Sequence, residues 1–162
     1  MDIRFLTFPE FHRVYFYRSI TLTILAAIGG LILIKGPDTP LPDLLLAGAF
    51  LFIMVWRFAV EWRRLKKSGP ASIHNDELFI SSAAGHRQIP LAKIGSVRSK
   101  HSIFMVRRYR SWVEHLAFVE FTLNTGERLY TLVESAVFEF PAGKKTLATL
   151  QAAVLAAKIK ST

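Results

Sequence analysis

Two apolar runs near the N-terminus constrain the fold of this chain more than any other feature. Residues 20–34 and 44–56 contain no charged side chain, and the segment between them contains Pro37, Pro40 and Pro42. A membrane-spanning helix needs about 20 mostly apolar residues. The runs reach that length when the first is extended back to Val14 and the second extends from Leu41 to about Val60. We therefore predict a transmembrane hairpin in residues 14–67, with helices at about 15–35 and 42–64. Two buried helices of a soluble domain are the alternative.

The ends of both runs contain aromatic and basic side chains of the kind found at membrane interfaces. Arg18 is expected to extend toward the lipid headgroups. Arg57 and Glu61 are four residues apart, so they are expected to pair on one helix face. The predicted interface residues are Tyr15, Tyr17, Arg18, Trp56, Arg57, Trp62, Arg63 and Arg64.

The distribution of basic residues predicts the orientation of the hairpin. The chain has a net charge of +9, and its basic residues flank the two runs, whereas the connecting segment has one lysine against two aspartates. Loops rich in Lys and Arg stay on the cytoplasmic side. We therefore expect both termini in the cytoplasm. The basic flanks are Arg4, Arg13 and Arg18 before the first helix, and Arg57, Arg63, Arg64, Lys66 and Lys67 after the second.

Residues 1–13 are too few to form a domain. Phe5, Leu6, Phe8 and Phe11 alternate with polar residues in this segment. Two interpretations stay open: the segment is an interfacial anchor, or it packs on the cytoplasmic domain.

The pattern changes after Ser68-Gly-Pro, and residues 68–162 are predicted to form a cytoplasmic domain. Short alternating runs at 72–74 and 78–80 flank a turn at 75–77. A turn at Ala84-Gly85 leads into 86–90, and 94–97 is a further apolar run. The clearest hairpin joins 118–123 to 128–133 through Asn124-Thr-Gly-Glu. A helix is predicted over 146–159, with an apolar stripe of Leu147, Leu150, Val154 and Leu155. The fold class is therefore α+β: a helical hairpin, then an antiparallel sheet or partly open barrel capped by a C-terminal helix.

Several phrases of this domain resemble the bacterial pleckstrin-homology-like (PH-like) membrane proteins, including the YcxB-like group. They are Gly-Pro-Ala-Ser-Ile-His-Asn-Asp-Glu-Leu-Phe-Ile at 69–80, Ile-Pro-Leu-Ala-Lys-Ile at 89–94 and Phe-Thr-Leu-Asn-Thr-Gly at 121–126. The resemblance covers roughly residues 69–160. It implies a multi-pass protein of the bacterial inner membrane with a binding or scaffolding domain and no catalytic residues. The chain departs from the pattern by a basic, aromatic insert between Arg98 and His115.

That basic, aromatic segment is the predicted contact surface for lipid or a protein partner. Basic side chains bind phosphate headgroups or acidic partners, and aromatic side chains enter an interface. Single-stranded nucleic acid is a less favoured ligand of the same composition, and an ordinary strand and loop is the structural alternative. The candidate residues are Arg98, Lys100, Phe104, Arg107, Arg108, Tyr109, Arg110 and Trp112.

No catalytic or cofactor-binding pattern is visible. The five histidines lack metal-ligand spacing, there is no cysteine, and the glutamates are scattered. We therefore expect that the protein is not an enzyme and binds no cofactor. Two function classes stay open. One is a membrane-anchored module that binds lipid or protein, either alone or as a homo-oligomer. The other is an accessory subunit whose hairpin packs against a larger membrane complex.

Overall fold

The computed structural model describes residues 5–82, 85–106, 114–136 and 139–161. They form an α+β fold, as expected: two long helices, two three-stranded antiparallel sheets and a C-terminal helix. The helices are α1 (Phe8–Lys35), α2 (Leu41–Lys66) and α3 (Lys144–Ser161). The strands are β1 (Ala71–His74), β2 (Glu77–Ser82), β3 (Gly85–Pro90), β4 (Ile94–Val106), β5 (Glu114–Leu123) and β6 (Arg128–Ala136).

Helices α1 and α2 form an antiparallel hairpin joined by a short 3-10 turn at Gly36–Asp38. A Cβ placed on Gly36 would lie 3.5 Å from Leu44, and one on Gly29 would lie 3.4 Å from Leu51. Further along, Arg18 bonds to Glu61. Helix α1 begins at Phe8, earlier than the sequence indicated, and the amide of Thr7 donates a hydrogen bond to Glu10 at this start. At 1.5 Å per residue, the helices are about 42 and 39 Å long.

The contact between α1 and α2 follows a coiled-coil pattern. Buried and half-buried residues recur at steps of three and four, as in a heptad seam. Gly29 lies in this seam, but Gly30 and Gly48 face open space. The seam positions are Phe11, Val14, Arg18, Thr21, Leu25, Gly29 and Ile32 on α1, and Leu44, Ala47, Leu51, Met54, Phe58, Glu61 and Leu65 on α2.

Most of the hairpin surface is apolar and exposed. Both helices are long and apolar enough to cross a membrane, and only 6% of the most apolar stretch of each is buried within the protein. Large exposed apolar side chains run from Ile20 to Ile34 and from Leu41 to Trp56. A soluble fold would bury such helices, so this surface needs a partner outside the described protein.

The two sheets have the orders β1-β2-β3 and β4-β5-β6, and the strands described here form no closed barrel. The predicted turn after β1 is present: Asn75 and Asp76 have φ of 52° and 61°. Two consecutive residues with positive φ match the twist of a tight hairpin. The predicted hairpin between β5 and β6 is also present, with Phe121 opposite Leu129 and φ of 84° at Gly126.

The main core lies between the two sheets and α3. It contains Ile80 and Ile89 from the first sheet and Val119 and Phe121 from the second. Helix α3 covers this core with Leu147, Leu150, Val154 and Ala157. The predicted stripe was therefore wrong at Leu155, which is 60% exposed. Steps of three, four and three residues keep Ala157, and not Leu155, on the buried face.

A second core lies on the opposite face of the β4-β5-β6 sheet, where the ends of the hairpin pack. It joins residues of α1 and α2 to Leu116, Phe118 and Leu132 of the sheet. Residues 116–119 of β5 therefore pack on both faces of the sheet, which explains the apolar run Leu-Ala-Phe-Val at these positions. The members from this side are Leu6, which precedes α1, Phe11 and Val14 of α1 and Leu65 of α2, with Tyr15 and Trp62 at the margin.

Segments on either side of the hairpin also pair with the exposed edge of β6. Phe5 forms an antiparallel bridge with Val133, and Ser68 forms a parallel bridge with Tyr130. The open question about the N-terminal segment is thus answered for its described residues: Phe5 and Leu6 are buried against the sheet. Phe8 is exposed.

We predict that Leu150→Ala and Leu155→Ala differ sharply in their effect on stability. Leu150 is fully buried, so its truncation leaves a cavity and should lower the free energy of unfolding by about 2–5 kcal/mol. The exposed Leu155 should change it by no more than about 0.5 kcal/mol. Denaturant titration of the detergent-solubilised protein measures both. Equal losses would contradict the position of α3.

Candidate functional site

The carboxylate of Glu61 connects both helices to the sheet. Its Oε2 accepts hydrogen bonds from Nη2 of Arg18 at 2.6 Å and from Oγ of Ser102 at 2.6 Å. Its Oε1 accepts the backbone N–H of Ile103 at 2.9 Å. Arg18 belongs to α1, Glu61 to α2, and the other two residues to β4. We call these four residues, together with Arg57, the junction.

Arg18 is buried in the junction. Its guanidinium carbon lies 5.0 Å from the ring centre of Phe58 and 5.5 Å from that of Phe104, a distance at which a cation is attracted to the ring. Its Nε and Nη1 have no hydrogen-bond partner in the part of the chain that the structure describes. The expectation that Arg18 extends outward to headgroups is not met, because the side chain faces the seam and pairs with Glu61.

Arg57 completes the junction at its exposed side. Its Nε lies 3.3 Å from Oε1 of Glu61, which confirms the predicted i,i+4 pair. Its Nη2 donates a hydrogen bond to the backbone carbonyl of His101 at 3.3 Å. Two guanidinium groups therefore surround one carboxylate, and the junction carries a net positive charge.

Two histidines lie beside the junction on neighbouring strands. Burial lowers the pKa of His115, and the nearby His101 lowers it further, although the negative charge of Glu61 opposes both effects. Nδ1 of His115 and Nε2 of His101 are buried, with no hydrogen-bond partner among the described residues. The neutral form of His115 is therefore favoured in the folded protein.

A basic patch surrounds Glu120 on the face of the sheet next to α2. We define it as Arg64, Arg98, Lys100 and Arg128. Nζ of Lys100 lies 2.8 Å from Glu120, and Nε of Arg128 lies 3.7 Å from it. Burial alone would raise the pKa of Glu120. The hydrogen bond and charge of Lys100, with the charges of Arg128 and Arg64, lower the pKa below its ordinary value. Arg98 is opposite Glu120 in the strand pairing and is exposed.

The predicted lipid- or partner-binding residues fall into two groups. Arg98 and Lys100 lie together on β4, and Phe104 packs its ring 5.6 Å from that of Phe58 rather than forming an open surface. Residues 98–106 lie in β4, whose pairing with β5 is irregular between His101 and Val106. The remaining predicted residues, Arg107, Arg108, Tyr109, Arg110 and Trp112, lie outside the described residues.

The predicted interface residues also differ from one another in their surroundings. Tyr15 and Trp62 contact each other edge to face at 6.0 Å, and the hydroxyl of Tyr15 donates a hydrogen bond to the carbonyl of Leu65. These two side chains form part of the packing against the sheet. Tyr17 is half-buried, whereas Trp56 and Arg63 are exposed.

Sequence reasoning did not identify the residues of β4 in the junction. Ser102 and Ile103 have no unusual local pattern, and their role depends on which strand approaches α2. The sequence does contain a signal for the pair of Arg18 and Glu61. Each is the one charged residue among the seam positions of its helix.

Among the described residues, no group of three His, Asp or Glu side chains could hold a metal ion.

Comparison with known proteins does not assign the chain to a family. No protein-family model matches it, and neither a curated protein nor a solved structure shows significant similarity to it.

We predict that single substitutions in the junction are far more destabilising than the double substitution. Arg18→Met or Glu61→Met leaves an unpaired buried charge and should lower the free energy of unfolding by about 3–5 kcal/mol. The Arg18→Met/Glu61→Met double variant removes both charges and should recover most of that loss. A double-mutant cycle in detergent gives the coupling energy.

The exposed pair of Arg87 and Glu127 provides a matched control, because both side chains are more than one third exposed. Its coupling energy should be far smaller than that of Arg18 and Glu61, because water screens exposed charges. Additive losses for Arg18 and Glu61 would show that the pair does not hold the hairpin together.

We also predict that stability falls as the pH drops below the ordinary pKa of histidine. The pKa of His115 is lowered in the folded state, so the unfolded chain takes up a proton first and folding loses free energy as the pH falls. The free energy of unfolding should be lower at pH 5.5 than at pH 7.5, and His115→Gln should reduce this difference. An unchanged difference in the variant would contradict the assignment.

Proposed function

We propose that this protein is a non-catalytic integral membrane protein whose hairpin inserts into the bacterial inner membrane. Both termini face the cytoplasm, and the sheet domain is a PH-like module that binds anionic lipid at the inner leaflet. The observation that carries the proposal is the exposed apolar surface of the hairpin, which ends where the basic residues of α2 and the sheet begin.

The dimensions of the hairpin support insertion. The hydrocarbon core of a bilayer is about 30 Å thick, which is less than the length of either helix. The surplus at the open end of the hairpin is the part that packs on the sheet. The part of each helix that would cross the bilayer is therefore apolar and exposed, and the part at the open end of the hairpin is buried against the sheet.

The arrangement of charge supports lipid as the ligand. Arg57 follows directly on the exposed Trp56, where headgroups would lie, and Arg63 and Arg64 come further along α2. The basic patch continues this positive charge onto the sheet, beside α2. Each basic residue near an anionic leaflet contributes about 1 kcal/mol of attraction, so the combined set favours phosphatidylglycerol-like headgroups over zwitterionic ones.

The architecture of the domain supports the PH-like interpretation. Two three-stranded antiparallel sheets enclose one core, and a C-terminal helix covers it. The resemblance at 69–80, 89–94 and 121–126 implies a partly open barrel capped by a helix, and two antiparallel sheets followed by a terminal helix are compatible with it. In such a module, binding depends on surface charge and not on a catalytic group.

The test is native mass spectrometry of the full chain after gentle detergent extraction. We expect retained anionic lipid, and a weaker retention in Arg64→Gln/Arg98→Gln by about fivefold for each charge removed. Lys93→Gln, at an exposed position in the turn before β4, is the matched control and should retain lipid as the unaltered protein does. Equal lipid retention by the unaltered protein, the double variant and the Lys93→Gln control would contradict lipid binding at the patch.

The accessory-subunit function has one observation in its favour. An added Cβ at Gly30 or Gly48 would have no atom within 4 Å, so small residues also occupy the outer side of the hairpin. Small residues allow close approach of another transmembrane helix. The same mass spectra test this function, because it requires other membrane proteins to be extracted with the chain in a fixed ratio. A monomer or homo-oligomer alone would contradict it.

A further inference from the structure

The end of the sheet domain nearest the exposed part of the hairpin has apolar side chains of its own. Ile103 is 55% exposed and Phe140 is 73% exposed. The ring centre of Phe140 lies 4.8 Å from that of His101, whose carbonyl accepts the hydrogen bond from Arg57. The amide of Ile103 is bonded to Glu61. These contacts hold both apolar side chains beside the same stretch of α2.

That stretch directly follows the exposed apolar surface of the hairpin. Trp56, 64% exposed, precedes Arg57 in the chain. Glu61 is five residues after Trp56, which is about 7.5 Å along the helix axis. Ile103 and Phe140 therefore lie close to the level at which the apolar surface of α2 ends.

Helix α3 begins at this end of the domain. The amide of Gly143 donates a hydrogen bond to Oγ of Ser135, and Ser135 is paired with His115. Lys144 and Lys145 follow and are exposed. The nearby carboxylate of Glu139 is occupied by the amide of Ala136 and by Oγ of Ser135. Two cations thus accompany the exposed apolar side chains, as at surfaces that contact anionic bilayers.

The opposite end of the domain gives an internal comparison. Nζ of Lys158 donates a hydrogen bond to the carbonyl of Gly95, at the start of β4. At 3.3 Å per residue, Gly95 is about 26 Å along β4 from Ile103. Leu155 and Ile159 are exposed apolar residues near that remote end of α3. Exposure alone therefore does not distinguish the two ends; their distance from the hairpin surface does.

We propose that Ile103, Phe140, Lys144 and Lys145 form a second membrane contact, which we call the tip. The tip rests on the anionic bilayer surface beside the hairpin: the two apolar side chains enter the headgroup layer and the two lysines bind lipid phosphates. The inference rests on the proposed insertion of the hairpin and adds to it that the domain lies against the leaflet. The junction holds the domain in this position.

The absence of cysteine allows site-specific labelling of the full chain. Single cysteines replace Ile103 and Phe140 at the tip, Leu155 and Ile159 at the remote end of α3, and Phe52 in the hairpin. Each carries an environment-sensitive fluorophore. The protein is reconstituted in vesicles of phosphatidylcholine and phosphatidylglycerol that contain lipids with a nitroxide quencher either on the headgroup or deep in the acyl chain.

We expect the deep quencher to act on position 52 and the headgroup quencher to act on positions 103 and 140. Positions 155 and 159 should be quenched by neither. If position 52 is quenched while position 103 or 140 is no more quenched than position 159, the tip does not contact the bilayer and the inference is wrong, although insertion stands. If position 52 escapes both quenchers, the insertion itself fails and the inference fails with it.

A second comparison tests the role of the lysines. With the label at position 140, headgroup-labelled phosphatidylglycerol should quench more than headgroup-labelled phosphatidylcholine. Lys144→Gln/Lys145→Gln should reduce this preference by about fivefold per lysine, and Lys93→Gln should leave it unchanged. An unchanged preference in the double variant would show that the lysines do not bind the lipid phosphates.

Discussion

The rest of this structure depends on one buried carboxylate. Glu61 is fully buried, and it is bonded to a guanidinium from α1, a hydroxyl from β4 and a backbone amide from β4. A buried charge is costly unless it is paired and its lone pairs are used. The positions of three elements are thereby linked, because moving any of them would leave a buried charge or donor unsatisfied. A charged pair in an apolar seam also selects one register of the two helices over its neighbours.

The junction and the second core together make the hairpin and the sheet domain one packed body. Ser68 and Gly69, between α2 and β1, are bonded to β6, and the first turns of α1 pack with the end of α2 on one face of the same sheet. A change in the angle between α1 and α2 would therefore be transmitted to β4 and β6. This coupling separates the molecule from a simple anchor with a soluble domain attached.

The proposed function follows from how apolar and basic surfaces succeed one another along the molecule. The exposed apolar part of the hairpin is followed by Arg57, then by the basic patch and the proposed tip. A bilayer presents the complementary sequence, from hydrocarbon to phosphate to water. Buried titratable groups such as His115 and Glu120 lie just beyond the apolar part. Burial and a neighbouring histidine lower the pKa of His115, and neighbouring basic side chains lower that of Glu120 against the effect of its burial.

The sequence by itself determined the elements that depend on local pattern. The two uncharged runs predicted the hairpin, Asn75-Asp76 and Gly126 lie in the predicted turns, and the spacing of Leu147, Leu150 and Val154 predicted the buried face of α3. Only the tertiary structure decided which surfaces meet. Phe104 belongs to a packed contact because β4 approaches α2. The side chain of Arg18 points inward because the carboxylate of Glu61 and the rings of Phe58 and Phe104 contact it there. Such outcomes depend on contacts between residues 40 or more positions apart in the chain, and local periodicity contains no information about them.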